Sequence, residues 1–310
     1  FVFLMVAVCF GQGIAHANPY GTPRLEIVAQ LKERPGNVAV APDGRVFISM
    51  HPFDNPVHKV MEVAPDGTTK PFPNDVWSRE PGRDGVGLAN VIHLAVLGKI
   101  LYILDMGSDT VTPKLLAWDL AGNALKQIWY IPKHATTKQS FLQDFVITPD
   151  ATYAIIADMG QADLLGQPSP ALVVLNLQTG VAVRKLVDHA SVRPNQKQMM
   201  AGGAPLRLTR GGKDYALMLG LNPITMDPRG AFLYYAPMSE GLIYRVAVAD
   251  VVNPSLTPEA LAAKISVVGP KPASDGMIVD HAENIFIGSV NTSSVGVINN
   301  KGKYTSWLRD

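Results

Sequence analysis

Residues 273–299, ASDGMIVDHAENIFIGSVNTSSVGVIN, read as short strands separated by polar turns, yet they open on a carboxylate, Asp275, where a buried strand should begin apolar. DGMIVDHAENIFIGSV gives an inner strand, a polar turn and a second strand whose first apolar residue is Ile285. SVGVINNKG follows as a third strand with a polar turn at its end.

The same frame recurs along the chain. From Asp275 to Ile285 is ten positions, and equivalent pairs run from Asn222 to Phe232, Asp144 to Ala154, Asn90 to Ile100 and Gly36 to Val46. Each copy is followed by a third strand: KVMEVAPDG, KLLAWDLAGN, ALVVLNLQTG, LIYRVAVAD and SVGVINNKG. A period of roughly forty to fifty residues with three or four strands per unit marks β-propeller blades, which bury both faces only by stacking on neighbours. Five copies are present, and the chain stops at KYTSWLRD, just after a third strand, so an outer strand or a whole blade is expected to be missing. RLEIVAQLKE (24–33) is expected to supply an outer strand that closes the ring, 188–214 an insertion over one face, and TPEALAAKI (257–265) a short helix.

Composition bounds the rest. The 310 residues are 47% hydrophobic, enough for a substantial core, and the formal net charge is +1 with no basic run, which argues against nucleic acid or an anionic membrane as partner. Phe1 to Phe10 is apolar but too short to span a bilayer, and Ala15-His16-Ala17 follows as a cleavage signature. Residues 1–17 are therefore expected to be a signal peptide and 18–310 a single propeller domain, secreted or periplasmic. The initiator Met and basic leader segment are missing, so the sequence is expected to begin inside its reading frame. The single cysteine, Cys9, lies in the leader; the cleaved chain would hold no disulfide and no thiolate metal site.

The first strand of each blade lines the central channel, so residues at one repeat position form a ring. That position reads Gly36, Asn90, Asp144, Asn222, Asp275, with Asn37 beside the glycine. Each Asn or Asp taken singly could simply cap an incoming loop. Four at one position point to a channel site holding a small-molecule ligand, with Asn37, Asn90, Asp144, Asn222 and Asp275 as its lining. An all-oxygen ring favours Ca²⁺ over softer metals, with Asp144, Asn222 and Asp275 as candidate ligands. His93, three residues into an inner strand, is the best general-base candidate beside Asp144. His51 and His58 sit in a loop of the first blade, and His281 in a turn. Tyr102, Trp118, Tyr234 and Tyr235 read as packing between blades.

NPITMDPRGAFLYYAPMSEGLIYRV (222–246), SDGMIVDHAENIFIGSVNTSSVGVIN (274–299) and LYILDMG (101–107) resemble the Yellow / major royal jelly protein family, in a bacterial version, from about Arg24 to the end. The resemblance implies an exported six-bladed propeller, its last blade truncated in this sequence, and functions ranging from dopachrome conversion to binding of amines in the channel. A more distant likeness is to the senescence marker protein / gluconolactonase propellers. LNPI and SDGM place Asn222 and Asp275 on that family's Ca²⁺-ligand positions, while Gly36 stands where it has a glutamate. Two functions follow: a binder of an aromatic, amine or lactone-like molecule, or a Ca²⁺-assisted lactonase or dopachrome-type isomerase at the same ring. No serine-hydrolase elbow, zinc-protease motif or phosphate loop is present, and oligomeric state is not legible.

Overall fold

The computed structural model describes residues 2–7, 25–195 and 197–309. The cleavage signature at 15–17 and Cys9 lie outside the described residues, as does most of the expected leader; its residues 2–7 are in a strand. The described residues form two compact units, one ending at Ile128 and one beginning at Trp129.

In the first unit β1 (Val2–Ala7) pairs antiparallel with β2 (Leu25–Leu31). Sheet one follows, with β3 (Pro35–Val40), β4 (Val46–Met50), β5 (Val60–Val63) and β6 (Thr69–Pro71). Sheet two holds β7 (Val91–Leu97), β8 (Ile100–Asp105), β9 (Lys114–Asp119) and β10 (Ala124–Tyr130), whose last residues pass into the second unit.

The second unit opens with sheet three, β11 (Leu142–Ile147), β12 (Tyr153–Asp158), β13 (Ala171–Asn176) and β14 (Ala182–Lys185). Two small hairpins come next: β15 (Met200–Ala201) with β16 (Ala204–Pro205), and β17 (Arg207–Arg210) with β18 (Lys213–Ala216). Sheet four comprises β19 (Leu221–Met226), β20 (Phe232–Pro237), β21 (Gly241–Ala247) and β22 (Ser266–Lys271). Sheet five comprises β23 (Met277–Val279), β24 (Ile285–Ser289), β25 (Ser294–Ile298) and β26 (Tyr304–Arg309).

Strands in every sheet pair in chain order, and the first strands of neighbouring sheets within a unit lie against one another. The described residues form an all-β β-propeller with five blades and almost no helix. All five copies found in the sequence are blades. The expected helix is present as α2, which follows α1 (Val248–Val251) and spans Pro258–Ala262, capped by Thr257, whose hydroxyl accepts from the Ala260 amide. No helix of the described residues is long and apolar enough to cross a membrane.

The final segment corrects the expected missing strand. Residues 304–309 are the fourth strand of sheet five, paired with β25. Gly302, at φ +76°, turns the chain, and Gly296 makes room for the Tyr304 ring, which a Cβ there would strike at 2.2 Å. The N-terminal strand also differs from expectation: β2 pairs with β1 rather than with a blade, and its Ala29 and Leu31 pack on Ile48, Met50 and Val63 of sheet one.

Blade strands are apolar on consecutive residues because both faces are buried. In β20, Leu233 and Tyr235 join the core shared with sheet three, while Tyr234 and Ala236 join the core shared with sheet five. Phe47, Phe72, Leu101 and Trp118 fill the space between sheets one and two. Each such side chain contributes roughly 1.5–3 kcal/mol by leaving water. Tyr102, Trp118, Tyr234 and Tyr235 are all buried, as packing requires.

Candidate functional site

The inner strands begin irregularly. In β3, β7, β11 and β19 the ladder slips by one residue near its start: Pro35 pairs with Met50 but Val38 with Ile48, and Val91 with Asp105 but Leu94 with Ile103. The same slip lies between Leu142 and Asp144, which pairs with Ala157, and between Leu221 and Ile224. In sheet five Val290 donates to the Ala273 carbonyl while Met277 pairs with Ile287, the same offset. Each blade therefore presents two bulged residues at the start of its inner strand.

This register corrects the ring read from the sequence. Gly36, Ile92, Gln143, Asn222 and Asp275 occupy the first bulge position; Asn37, His93, Asp144, Pro223 and Gly276 occupy the second. Asp144 is thus one position later than Asn222 and Asp275, and Asn90 precedes β7 altogether. For Asn90 the ten-residue frame failed because Gly98 and Lys99 alone join β7 to β8, whereas 41–45 join β3 to β4; for Asp144 the turn 148–152 is of the ordinary length, and the frame ends on Ala154 where β12 begins at Tyr153.

In the second unit the structure brings Asn222 and Asp275 together, with Asn222 Nδ2 donating to Asp275 Oδ1 at 2.5 Å and lying 3.6 Å from Met238 Sδ. Asn222 is 2% exposed, whereas Asp275 is exposed. Asp144 Oδ2 accepts from the Ile224 amide at 3.2 Å and Oδ1 from the Phe145 amide at 2.7 Å. Its carboxylate thereby covers two backbone donors on the unpaired edges of the inner strands β11 and β19. In the first unit Asn37 does the same: its Oδ1 accepts from the Leu94 amide at 3.1 Å. The bland cap reading holds for these contacts of Asp144 and Asn37, and the Asn222–Asp275 contact is of another kind, side chain to side chain between two blades.

Gly36 carries no side chain because none fits. A Cβ would stand 2.7 Å from Ser49 Oγ and 3.0 Å from the Ile92 carbonyl. Buried Ser49 accepts from the Asn37 amide at 2.9 Å and donates to the Ile92 carbonyl, joining sheets one and two. Asn90 is bound locally, with Nδ2 donating to the Gly107 carbonyl at 2.8 Å. His93 is half-buried at the second bulge of sheet two. His51 accepts from the Phe53 amide, and burial holds its pKa below the usual imidazole range. His58 and Arg79 both bind Asp75; the Arg79 contact, and then that of His58, hold this carboxyl down to about 2. Two cavities of about 470 and 540 Å³ border sheet one beside β2, and neither is lined by Asn37, Asn90 or His93.

Sequence reading missed the buried polar clasp at the end of the second strand. Asp105 and Asp158 each begin an Asp-Met-Gly run. Asp105 accepts the amides of Ala89, Asn90 and Gly107 and the Lys114 ammonium; Asp158 accepts the amides of Phe141 and Gly160, the Ser140 hydroxyl and the Arg184 guanidinium. The repeated triplet was a visible signal. In sheet four Pro237 stands in the aspartate's place, and buried Lys271 donates instead to the carbonyls of Met238, Ser239 and Pro272, at 3.2, 2.9 and 3.0 Å. Burial pulls the Lys271 ammonium down to about 7, against a smaller opposing pull from Glu240.

A calcium ion would need six to eight oxygens. Asn222 and Asp275 offer two adjacent side chains, Asp144 is engaged by two amides, Gly36 offers nothing, and no cluster of three acidic, histidine or cysteine side chains occurs among the described residues. Asn222 and Asp275 are the candidate ligands that the structure brings together.

Among solved structures, the chain is similar to one from a nidogen/laminin complex, at 10% identity and TM-score 0.59 over 92% of this chain and 84% of that one. It is also similar to a gluconolactonase from Xanthomonas campestris (14%, TM-score 0.52, 89% and 75%) and to the PQQ-bound aldose sugar dehydrogenase of Streptomyces coelicolor (10%, TM-score 0.51, 91% and 83%). These likenesses are of fold alone. No curated protein matches the chain significantly. The family model described as major royal jelly protein matches residues 100–307, two thirds of the sequence, and the chain accordingly belongs to the major royal jelly protein family.

Proposed function

We propose that this is an exported ligand-binding propeller, which holds a small aromatic, amine or lactone-like molecule at the bulged starts of its inner strands. The contact between Asn222 and Asp275 carries the reading. It joins two blades through side chains rather than backbone, and it leaves an exposed carboxylate beside a buried amide, a pairing suited to a polar group on an otherwise apolar molecule. Calorimetry of the full chain with catechols, indoleamines and lactones tests it. Heat of binding lost in Asp275→Asn supports the reading; no heat from any compound refutes it.

A second reading is a Ca²⁺-assisted lactonase or dopachrome-type isomerase at the same place, with Asp144 or His93 moving the proton. The adjacency of Asn222 and Asp275 favours it, and the engagement of both Asp144 oxygens counts against it. Turnover unchanged by a chelator excludes it.

The blade count is proposed as six, with 18–310 as one domain. Support comes from the outer face of sheet five, where Ile278 is 65% exposed beside half-buried Phe286 and Trp307, a face suited to another sheet. A structure of the natural protein with that face bare refutes the count, and mass spectrometry of the secreted chain checks cleavage after Ala17.

A further inference from the structure

Between sheets three and four the chain leaves the propeller pattern and forms the hairpins β15–β16 and β17–β18. Their attachments reach three blades. Arg210 Nη2 donates to the Asp163 carbonyl at 2.9 Å, Lys197 Nζ to Glu240 Oε1 at 2.6 Å, and the Gly203 amide to Asn291 Oδ1 at 3.3 Å. Asp163, Glu240 and Asn291 lie in the connections from second to third strand of sheets three, four and five. Those connections sit where the inner strands begin, because Met159, Met238 and Val290 donate to the carbonyls of Phe141, Gly220 and Ala273. That is the end carrying Asn222 and Asp275.

The attachments are sparse and wet. All three are exposed, so water competes for each. Gly202, Gly203, Gly211 and Gly212 all have positive φ and no atom within 4 Å of a Cβ position, so open space lies beside both hairpin tips. The stem is the buried anchor, through Met199 and Leu217, whose backbones bond each other. The seated arrangement also leaves buried Gln198 Nε2 on the stem, and buried Gln161 Oε1 two residues from the Arg210 seat, without hydrogen-bond partners. Each unmet atom gains a partner if it meets water, which favours release of the segment.

We propose that residues 197–217 are a strap that swings on the Met199–Leu217 stem and controls access to Asn222 from the end of the propeller. The inference rests on the reading of Asn222 and Asp275 as the ligand site, but its test does not require a ligand. In a Cys9→Ser background, Asn222→Cys is treated with N-ethylmaleimide and the modification rate followed by mass. Releasing the attachments with Lys197→Ala, Arg210→Ala and Asn291→Ala should raise that rate at least tenfold. Rates within twofold of each other overturn the proposal, whatever the calorimetry shows. Should Asn222→Cys fail to fold, hydrogen exchange of the unaltered protein decides. The Leu206 and Gly203 amides should exchange at least tenfold faster than that of Ile224, and equal protection overturns the strap.

Discussion

Lys114 Nζ lies 2.8 Å from Asp105 Oδ2, with the two side chains 3% and 0% exposed, and the same carboxylate gathers three backbone amides from the loops at either end of its hairpin. Removing only the ammonium strands a buried negative charge. Lys114→Met should therefore cost about 3–5 kcal/mol of stability, read from the denaturant midpoint. Lys114→Met with Asp105→Asn should cost less than Lys114→Met alone; a double variant that is worse would show that the amides, not the ion pair, dominate.

Gly36 faces Ser49 Oγ and the Ile92 carbonyl too closely for any side chain. Gly36→Ala should cost about 1–3 kcal/mol, and the cost should shrink in a Ser49→Ala background, where the nearer obstacle is gone. Simple additivity in the double-mutant cycle would count against the close approach. Gly36→Glu, the carboxylate of the gluconolactonase pattern, should not be accommodated at all.

Lys271 titrates near 7 in the folded chain and at 10.5 unfolded. Between these values the unfolded chain binds the extra proton, so stability should rise with pH by up to about 1.4 kcal/mol per unit, and the rise should end near pH 10. Below pH 7 both states are protonated and this group contributes no slope. Lys271→Met should flatten the rise while leaving three carbonyls without their donor; an unchanged slope would assign it to other groups.

The architecture was legible because propeller strands are buried on both faces and cut by strong turns, so LYILD, YAIIAD and FLYYAP announce themselves as strands. The fourth strand of sheet five was hidden by its composition: Tyr304 to Arg309 mixes exposed Thr305 and Ser306 with half-buried Trp307, without clean alternation. The candidate site was legible in residue type but not in register. Asn222 and Asp275 were found together, while Asn90 was displaced by the short turn 98–99 and Asp144 because the start of β12, at Tyr153 rather than Ala154, leaves no trace in a count of residues. The Lys271 and Arg184 clasps were illegible because long-range partners of a cation follow from the fold, not from its neighbours in sequence.

The slip at the head of each inner strand separates two jobs that a regular ladder would force on the same residues. Beyond it, Leu94, Ile224 and Met277 join the cores between sheets; within it, glycine, isoleucine, glutamine, asparagine and aspartate stand at one equivalent place. Such a scaffold can exchange its chemistry blade by blade without reopening the question of how it folds, and a shared framework with divergent activities is what that freedom permits.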